Sequence, residues 1–365
     1  MGTIMAFSLK NLSSLLTVAI QHKASDIHIR TNEVPCLRIR GELVPIQTKS
    51  FSVEDIGDIM KILMADGNQA AELNQKSEID GAFGIVDLCR VRFNIFRYFG
   101  TFGIVLRVIK TQVPTLASLD MPSIISRISL QKRGMILVTG ATGSGKSTTL
   151  AAMINHINEN RGSHIISIED PIEYLHPQKM SRISQREVGK DTEDFNSGLR
   201  SALRQDPDVI SIGEMRDPIT ANIALKAAET GHVVFSTLHT TNTVTTIGRI
   251  ISMFPSHEQP EVRKRLAENL YAIIGQRMLP GKNGRTVIAQ EIMVTSAGIR
   301  DCIAGKDDIN RIPIILSQGQ GKSTNGGQTF DQHIMHLFQK GFIEKEVALD
   351  AVSSQSDFIQ KLIVE

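Results

Sequence analysis

The chain has 365 residues, 41% of them apolar and 21% charged, the balance of a soluble globular protein of roughly two domains. Forty basic against thirty-eight acidic residues leave a net charge of +2, too small an excess to make nucleic acid the default partner. Three scattered cysteines, Cys36, Cys89 and Cys302, exclude a disulfide framework or a four-thiolate zinc site within one chain.

The start, MGTIMAFSLK, lacks a signal-peptide pattern, and no apolar run approaches membrane-spanning length. A cytoplasmic protein that meets membranes only through a partner is expected. LSSLLTVAIQHK then reads as a helix, and SDIHIR and PCLRIRGELVPI alternate like strands turning at Gly41-Glu42. Helical segments are expected between Val53 and Leu73. AFGIVDLCRVRFNIFRYFGTFGIVLRVIK returns to strands, rich in Val, Ile and Phe and broken at Gly100 to Gly103. Residues 1–111 therefore form a compact α+β domain.

TQVPTLASLDMP carries two prolines and little periodicity, which places a linker at residues 112–122. From Met135 onward short apolar runs alternate with helical patterns: MILVTG, HIISIED, DVISIGE and HVVFSTLH. That alternation predicts, for residues 123–365, an α/β domain with a mainly parallel sheet, its ligands at the carboxyl ends of the strands. SQGQGKSTNGGQ, low in apolar residues, reads as a mobile loop before a helical end. Its Gly321-Lys322-Ser323 mimics the close of a phosphate loop, but Leu316 stands where the first glycine belongs.

GATGSGKST, residues 140 to 148, satisfies G-x-x-x-x-G-K-[ST] between a strand and a helix. Glycines let backbone N–H groups turn onto phosphate oxygens, Lys146 reaches the outer phosphates, and Ser147 offers an oxygen to Mg²⁺. Gly140, Thr142, Gly143, Ser144, Gly145, Lys146, Ser147 and Thr148 are the candidate ATP-binding set. DPDVISIGEMRDP supplies a second strand on which Gly213 takes the usual aspartate's place and Glu214 follows. Glu214 is suited to orient the attacking water or the Mg²⁺ shell, or to pair with Arg216 or Arg204.

SIEDPIEYLHP sets Glu169, Asp170 and Glu173 at the end of an apolar strand. Clustered acids are tolerable there beside a cation and polarised water. The expectation is that this strand neighbours the phosphate-loop strand and brings the acids to the γ-phosphate, with Glu173 as candidate general base. GHVVFSTLHTTNT adds His232 and His239 at the two ends of a further strand, able to sense a γ-phosphate or to make ordinary polar contacts.

These segments, with IEDPIEY, GEMRD and TLHT in order, resemble the secretion and type IV pilus motor ATPases, and especially their retraction members of the PilT type. The likeness runs from ASDIHI and RFNIF to about residue 290. It implies a PAS-like amino-terminal domain, a RecA-like P-loop NTPase domain, and a homohexamer hydrolysing ATP between subunits with Glu173, Glu214, His232 and His239 in the site. It also implies arginines acting across the interface, for which Arg92 and Arg107 are the candidates, and an inner-membrane platform protein as partner. Retraction members typically carry AIRNLIRE where this chain has GIRDCIAG, keeping Ile299, Arg300 and Ile303. An accessory nucleotide-binding retraction subunit with little turnover is the alternative. A nucleic-acid translocase is disfavoured by the absence of Trp and by only three Tyr.

Overall fold

The computed structural model describes residues 7–39, 41–64, 77–85, 88–109, 112–318 and 327–364. The chain divides into two units, residues 1–112 with Glu173–Leu175, and residues 113–172 with 176–365. The Gly321-Lys322-Ser323 segment lies outside the described residues.

In the first unit the helix Leu9–Gln21 starts at Ser8 and the helix Val53–Leu63 at Ser52, each serine in a reciprocal capping box with the residue three positions on. Six strands, β1 (Asp26–Arg30), β2 (Cys36–Ile39), β3 (Glu42–Pro45), β4 (Glu78–Ile85), β5 (Cys89–Tyr98) and β6 (Thr101–Ile109), form one sheet in the order β3-β2-β1-β6-β5-β4. Every neighbouring pair is antiparallel. Period-two alternation on β5 sends Val91, Phe93 and Ile95 into a core with Leu12, Leu16, Ile56 and Ile59 of the two helices. Arg92 and Asn94 consequently project from the opposite face.

The second unit holds β7 (Gly134–Gly140), β8 (His164–Glu169), β9 (Arg182–Glu187), β10 (Val209–Ile212), β11 (Val233–Leu238), β12 (Leu270–Pro280) and β13 (Thr286–Val294), in the order β13-β12-β7-β11-β10-β8-β9. All neighbours are parallel except β12 and β13. Helices cover both faces: Ile154 and Ile157 of Lys146–Asn160 pack on Ile136 and Val138, while Leu225, Ile250 and Leu266 of later helices join the core of Met135 and Leu137. β7 is therefore buried along its whole length, giving a continuous apolar run instead of an alternating one. Among the described residues no helix is long and apolar enough to cross a membrane.

Two expectations need correction. β8 does not neighbour β7, because β11 and β10 stand between them. At the usual strand spacing the end of β8 lies roughly 14 Å across the sheet from the phosphate-loop strand. The proline-bearing stretch after residue 112 also does more than connect. Leu116 is buried with Ile125, Ile128 and Ile136, and Ala117–Leu119 forms a 3₁₀ turn, so this stretch belongs to the second core.

The helices Phe330–Gln339, Lys345–Ala351 and Gln355–Val364 form a satellite cluster with Leu279 and Ala289. Within it, buried His333 accepts a 2.9 Å hydrogen bond on Nδ1 from the Gln290 backbone N–H. Burial, aided by His336, pushes its pKa down to about 4. The folded state thus resists protonation while the unfolded chain accepts a proton near pH 6.5, so this stability is complete above pH 6.5 and is lost as pH falls toward 4. We expect unfolding free energy to drop by about 2 kcal/mol between pH 7 and pH 5 from this group alone. Denaturant titrations should show that His333→Asn, which keeps an acceptor but cannot charge, flattens the profile by that amount.

Candidate functional site

The site begins where β7 ends. Gly140 lies at φ +152°, and a Cβ there would come within 2.6 Å of the Gln276 carbonyl oxygen of β12, so only glycine fits. Gly143 and Gly145 also have positive φ, +80° and +86°, and the Gly145 cap opens the helix Lys146–Asn160. Such alternation turns successive N–H groups inward, at a helix end that already carries positive potential. Lys146, buried, donates from Nζ to the carbonyls of Gly140 and Ala141 at 3.0 Å each. Ser144 is also buried, and its Oγ has no hydrogen-bond partner among the described residues. Beneath the loop, Gln276 Nε2 donates to Thr149 Oγ1 at 2.7 Å and ties the loop's helix to β12.

Glu214 follows β10, two strands from β7. The intervening strand β11 ends at Leu238 and delivers His239 between them. His239 Nε2 lies 3.1 Å from Glu214 Oε2, and its Nδ1 lies 3.4 Å from Thr142 Oγ1 of the phosphate loop. Burial, with the positive charges of Lys146 and Arg216, holds the imidazole pKa below its ordinary value. A neutral ring makes both contacts in one tautomer: Nε2–H donates to the carboxylate, and Nδ1 accepts from the threonine hydroxyl. The other carboxylate oxygen of Glu214 is ion-paired with Arg216.

Local backbone bonds fix the acid. Gly213 N donates to Ile168 O at 2.8 Å, Thr237 Oγ1 to Gly213 O at 2.7 Å, and Met215 N to Thr237 O at 3.0 Å. A Cβ at Gly213 would sit 3.3 Å from Ile168 O and 3.4 Å from the Glu169 Cα. A side chain at this position would crowd the end of β8, and the acid stands one residue later.

The other candidates scatter. Glu169 accepts from Ser167 Oγ at 2.7 Å and from Gln185 Nε2 at 3.2 Å, a local contact of β8 and β9. Asp170 is exposed, as is Glu173, which groups with the first unit together with Tyr174 and Leu175. His232 lies at the opposite end of β11: its carbonyl accepts from Gly134 N at the start of β7, and its Nδ1 approaches Ala227 O and Thr230 Oγ1 at 3.0 Å. Six residues of β7 separate it from the loop, about 20 Å. The seven-residue spacing of the two histidines, which reads as a pair in sequence, thus puts them at opposite ends of one strand.

Within the first unit, Arg107 Nε donates to Asp26 Oδ1 at 2.8 Å. Arg92 stands directly opposite Arg107 across β5 and β6, on the face away from the helices. Like charges in that register repel, and buried Asp26, facing Arg107 from β1, offsets one of them.

For Mg²⁺ the chain offers the Ser147 hydroxyl in the first helical turn and the Glu214 carboxylate, hard oxygen donors suited to that ion. Among the described residues no group of three or more His, Cys, Asp or Glu could cage a metal. That set fits an ion carried in with phosphate oxygens and held by few protein ligands.

The geometry can be set beside known proteins. The model of the family described as Type II/IV secretion system protein matches residues 5–325. A twitching motility protein of Neisseria gonorrhoeae is 43% identical over 338 residues, covering 92% of this chain and 89% of that protein. The type IV pilus retraction ATPase PilT of Pseudomonas aeruginosa is 38% identical over 348 residues, 95% of this chain and 100% of its own. The crystal structure of the pilus retraction motor PilT with bound ADP superposes with a TM-score of 0.85 at 38% identity, over 96% of this chain and 99% of that one. With the family model matched from residue 5 to residue 325 and both relatives covering more than nine-tenths of its length, this chain belongs to the Type II/IV secretion system protein family.

Proposed function

We propose that this protein is a Mg²⁺-dependent motor ATPase that drives type IV pilus retraction, working as a cytoplasmic homohexamer against an inner-membrane platform protein. One observation carries the reading: His239 joins Glu214 to Thr142, so the acid and the phosphate loop form a single hydrogen-bonded unit. Names and folds of relatives support the biological setting, since a retraction ATPase and a retraction motor bound to ADP match nearly the whole chain.

In this reading backbone N–H groups of Gly143 to Thr148 hold the phosphates and Lys146 neutralises the outer ones. Mg²⁺, held with Ser147 and Glu214, would supply charge neutralisation as the γ-phosphoryl group departs. Glu214, fixed by His239 and Arg216, orients the attacking water. Glu173 follows β8, the strand beside the β10 that carries Glu214, and is assigned as the general base that accepts the water's proton. Arg92 and Arg107 stabilise the phosphoryl charge of a neighbouring subunit in the ring.

Steady-state and single-turnover ATPase assays on purified hexamers test the enzyme. Glu214→Ala and Glu173→Ala should each lower kcat by at least ~100-fold with ATP binding retained. A wild-type ring that binds ATP yet fails to hydrolyse it in a single turnover would favour the accessory subunit instead.

The arginine assignment has its own test. Arg92→Ala and Lys146→Ala rings should each be nearly inactive, because one loses the charge given to a neighbour and the other the phosphate ligand. Mixing the two variants before assembly should restore part of the activity, since some interfaces then pair an intact Lys146 with an intact Arg92. No recovery in verified mixed rings would remove Arg92 from the site.

A further inference from the structure

The helix Thr243–Ser252 begins four residues after His239, and its start is held from an unexpected direction. Glu291 sits on β13, the antiparallel edge strand, three strand positions from β11. It is only 7% exposed. Its Oε1 accepts a 2.7 Å hydrogen bond from the backbone N–H of Thr243, the first residue of that helix. Asn242 caps the same turn by accepting from Thr245 N at 2.8 Å, so the carboxylate supplies an acceptor that the helix's own cap does not.

The sheet register shows why the reach is possible. Glu291 faces Gly275, Gly275 faces Thr139, and Thr139 faces Leu238, the residue before His239. Glycine leaves the second place in this row without a side chain. A Cβ there would approach the Phe330 ring to 3.3 Å and the Glu291 Cβ to 3.6 Å. The short segment from His239 to Asn242 is thereby pinned at both ends, by Glu214 and Thr142 on one side and by Glu291 on the other. Burying an acid is costly, and desolvation holds the Glu291 pKa above its usual value despite the bond from Thr243 and the nearby Arg277. A neutral side chain could fill this place at lower cost.

We infer that Glu291 is a positioning residue for hydrolysis: by holding the Thr243 N–H it fixes the loop that keeps His239 bridged between Glu214 and Thr142. This rests on the reading of His239 given above. The role demands side-chain length and an acceptor oxygen, whereas a purely electrostatic role would demand charge.

The experiment compares ATP turnover of hexamers bearing Glu291→Asp, Glu291→Gln and Glu291→Ala, each alone and combined with His239→Ala, after confirming ring assembly and a wild-type-like melting curve. Glu291→Asp keeps the charge but is one methylene short, and Glu291→Gln keeps the length and an acceptor. Asp and Ala should lower kcat by about 10- to 100-fold with KM for ATP within about threefold, as a misplaced catalytic group does. Gln should stay within about threefold of wild type. In the His239→Ala background, Glu291→Asp should cost less than about twofold more, because both changes remove one arrangement.

Wild-type turnover in Glu291→Asp, or a loss in Glu291→Gln equal to that in Glu291→Ala, would overturn the positioning role. So would a full multiplicative loss on top of an impaired His239→Ala. Wild-type turnover in His239→Ala alone would overturn the site reading itself, and this inference with it. If Glu291→Ala fails to assemble, the Asp and Gln pair decides the matter, since the two are closest to the native side chain in charge and in shape.

Discussion

The second unit is organised by a strand that comes between the two halves of its site. β11 separates the phosphate-loop strand from the strand that carries Glu214, so the acid and the loop cannot meet through adjacent strand ends. A side chain must bridge the gap, and His239, emerging from β11, has one nitrogen for each neighbour. An imidazole suits this place because its two ring nitrogens point in divergent directions and, when neutral, play opposite hydrogen-bonding roles.

The surroundings of that bridge favour its neutral form. Desolvation lowers the His239 pKa most, and the charges of Lys146 and Arg216 act in the same direction. Protonation would turn Nδ1 into a donor and leave the Thr142 hydroxyl without its acceptor. The same cations make the acid tolerable: Arg216 pairs with Glu214 on the oxygen that His239 does not use. The arrangement is therefore a compact set of opposite charges joined by one neutral side chain, the kind of preorganised field that needs no rearrangement when phosphate charge shifts.

The first unit follows a simpler rule. Among the described residues its helices pack on one face of the antiparallel sheet, so alternation on β5 and β6 separates Val91, Phe93 and Leu106 from Arg92 and Arg107. Asp26, in the ASDIHI segment, is buried beside Arg107 and holds its guanidinium on the sheet face. That pairing gives the acidic residue of this segment a definite structural task.

The local content of the protein was legible in its sequence. The Val-, Ile- and Phe-rich run that becomes β5, the apolar run of β7 and the glycine spacing of residues 140 to 145 each depend on neighbours close along the chain, where steric and hydrogen-bonding rules act directly. What the sequence left open was distance across the sheet. SIEDPIEY and the phosphate loop are each recognisable, yet the strand order that sets β8 three places from β7 follows from crossover connections and helix packing. The two histidines show the same limit, because seven residues along a strand carry His232 to the far end. Glu291 and Gln276 carried only a faint signal, a polar residue inside an apolar strand, and their partners Thr243 and Thr149 are 48 and 127 positions away in sequence. The sequence by itself determined the elements, the phosphate loop and the family to which the chain belongs. The tertiary structure decided which side chains share a site, because a hydrogen bond reaches only about 3 Å and closing long stretches of chain to that distance depends on the packing of the whole sheet.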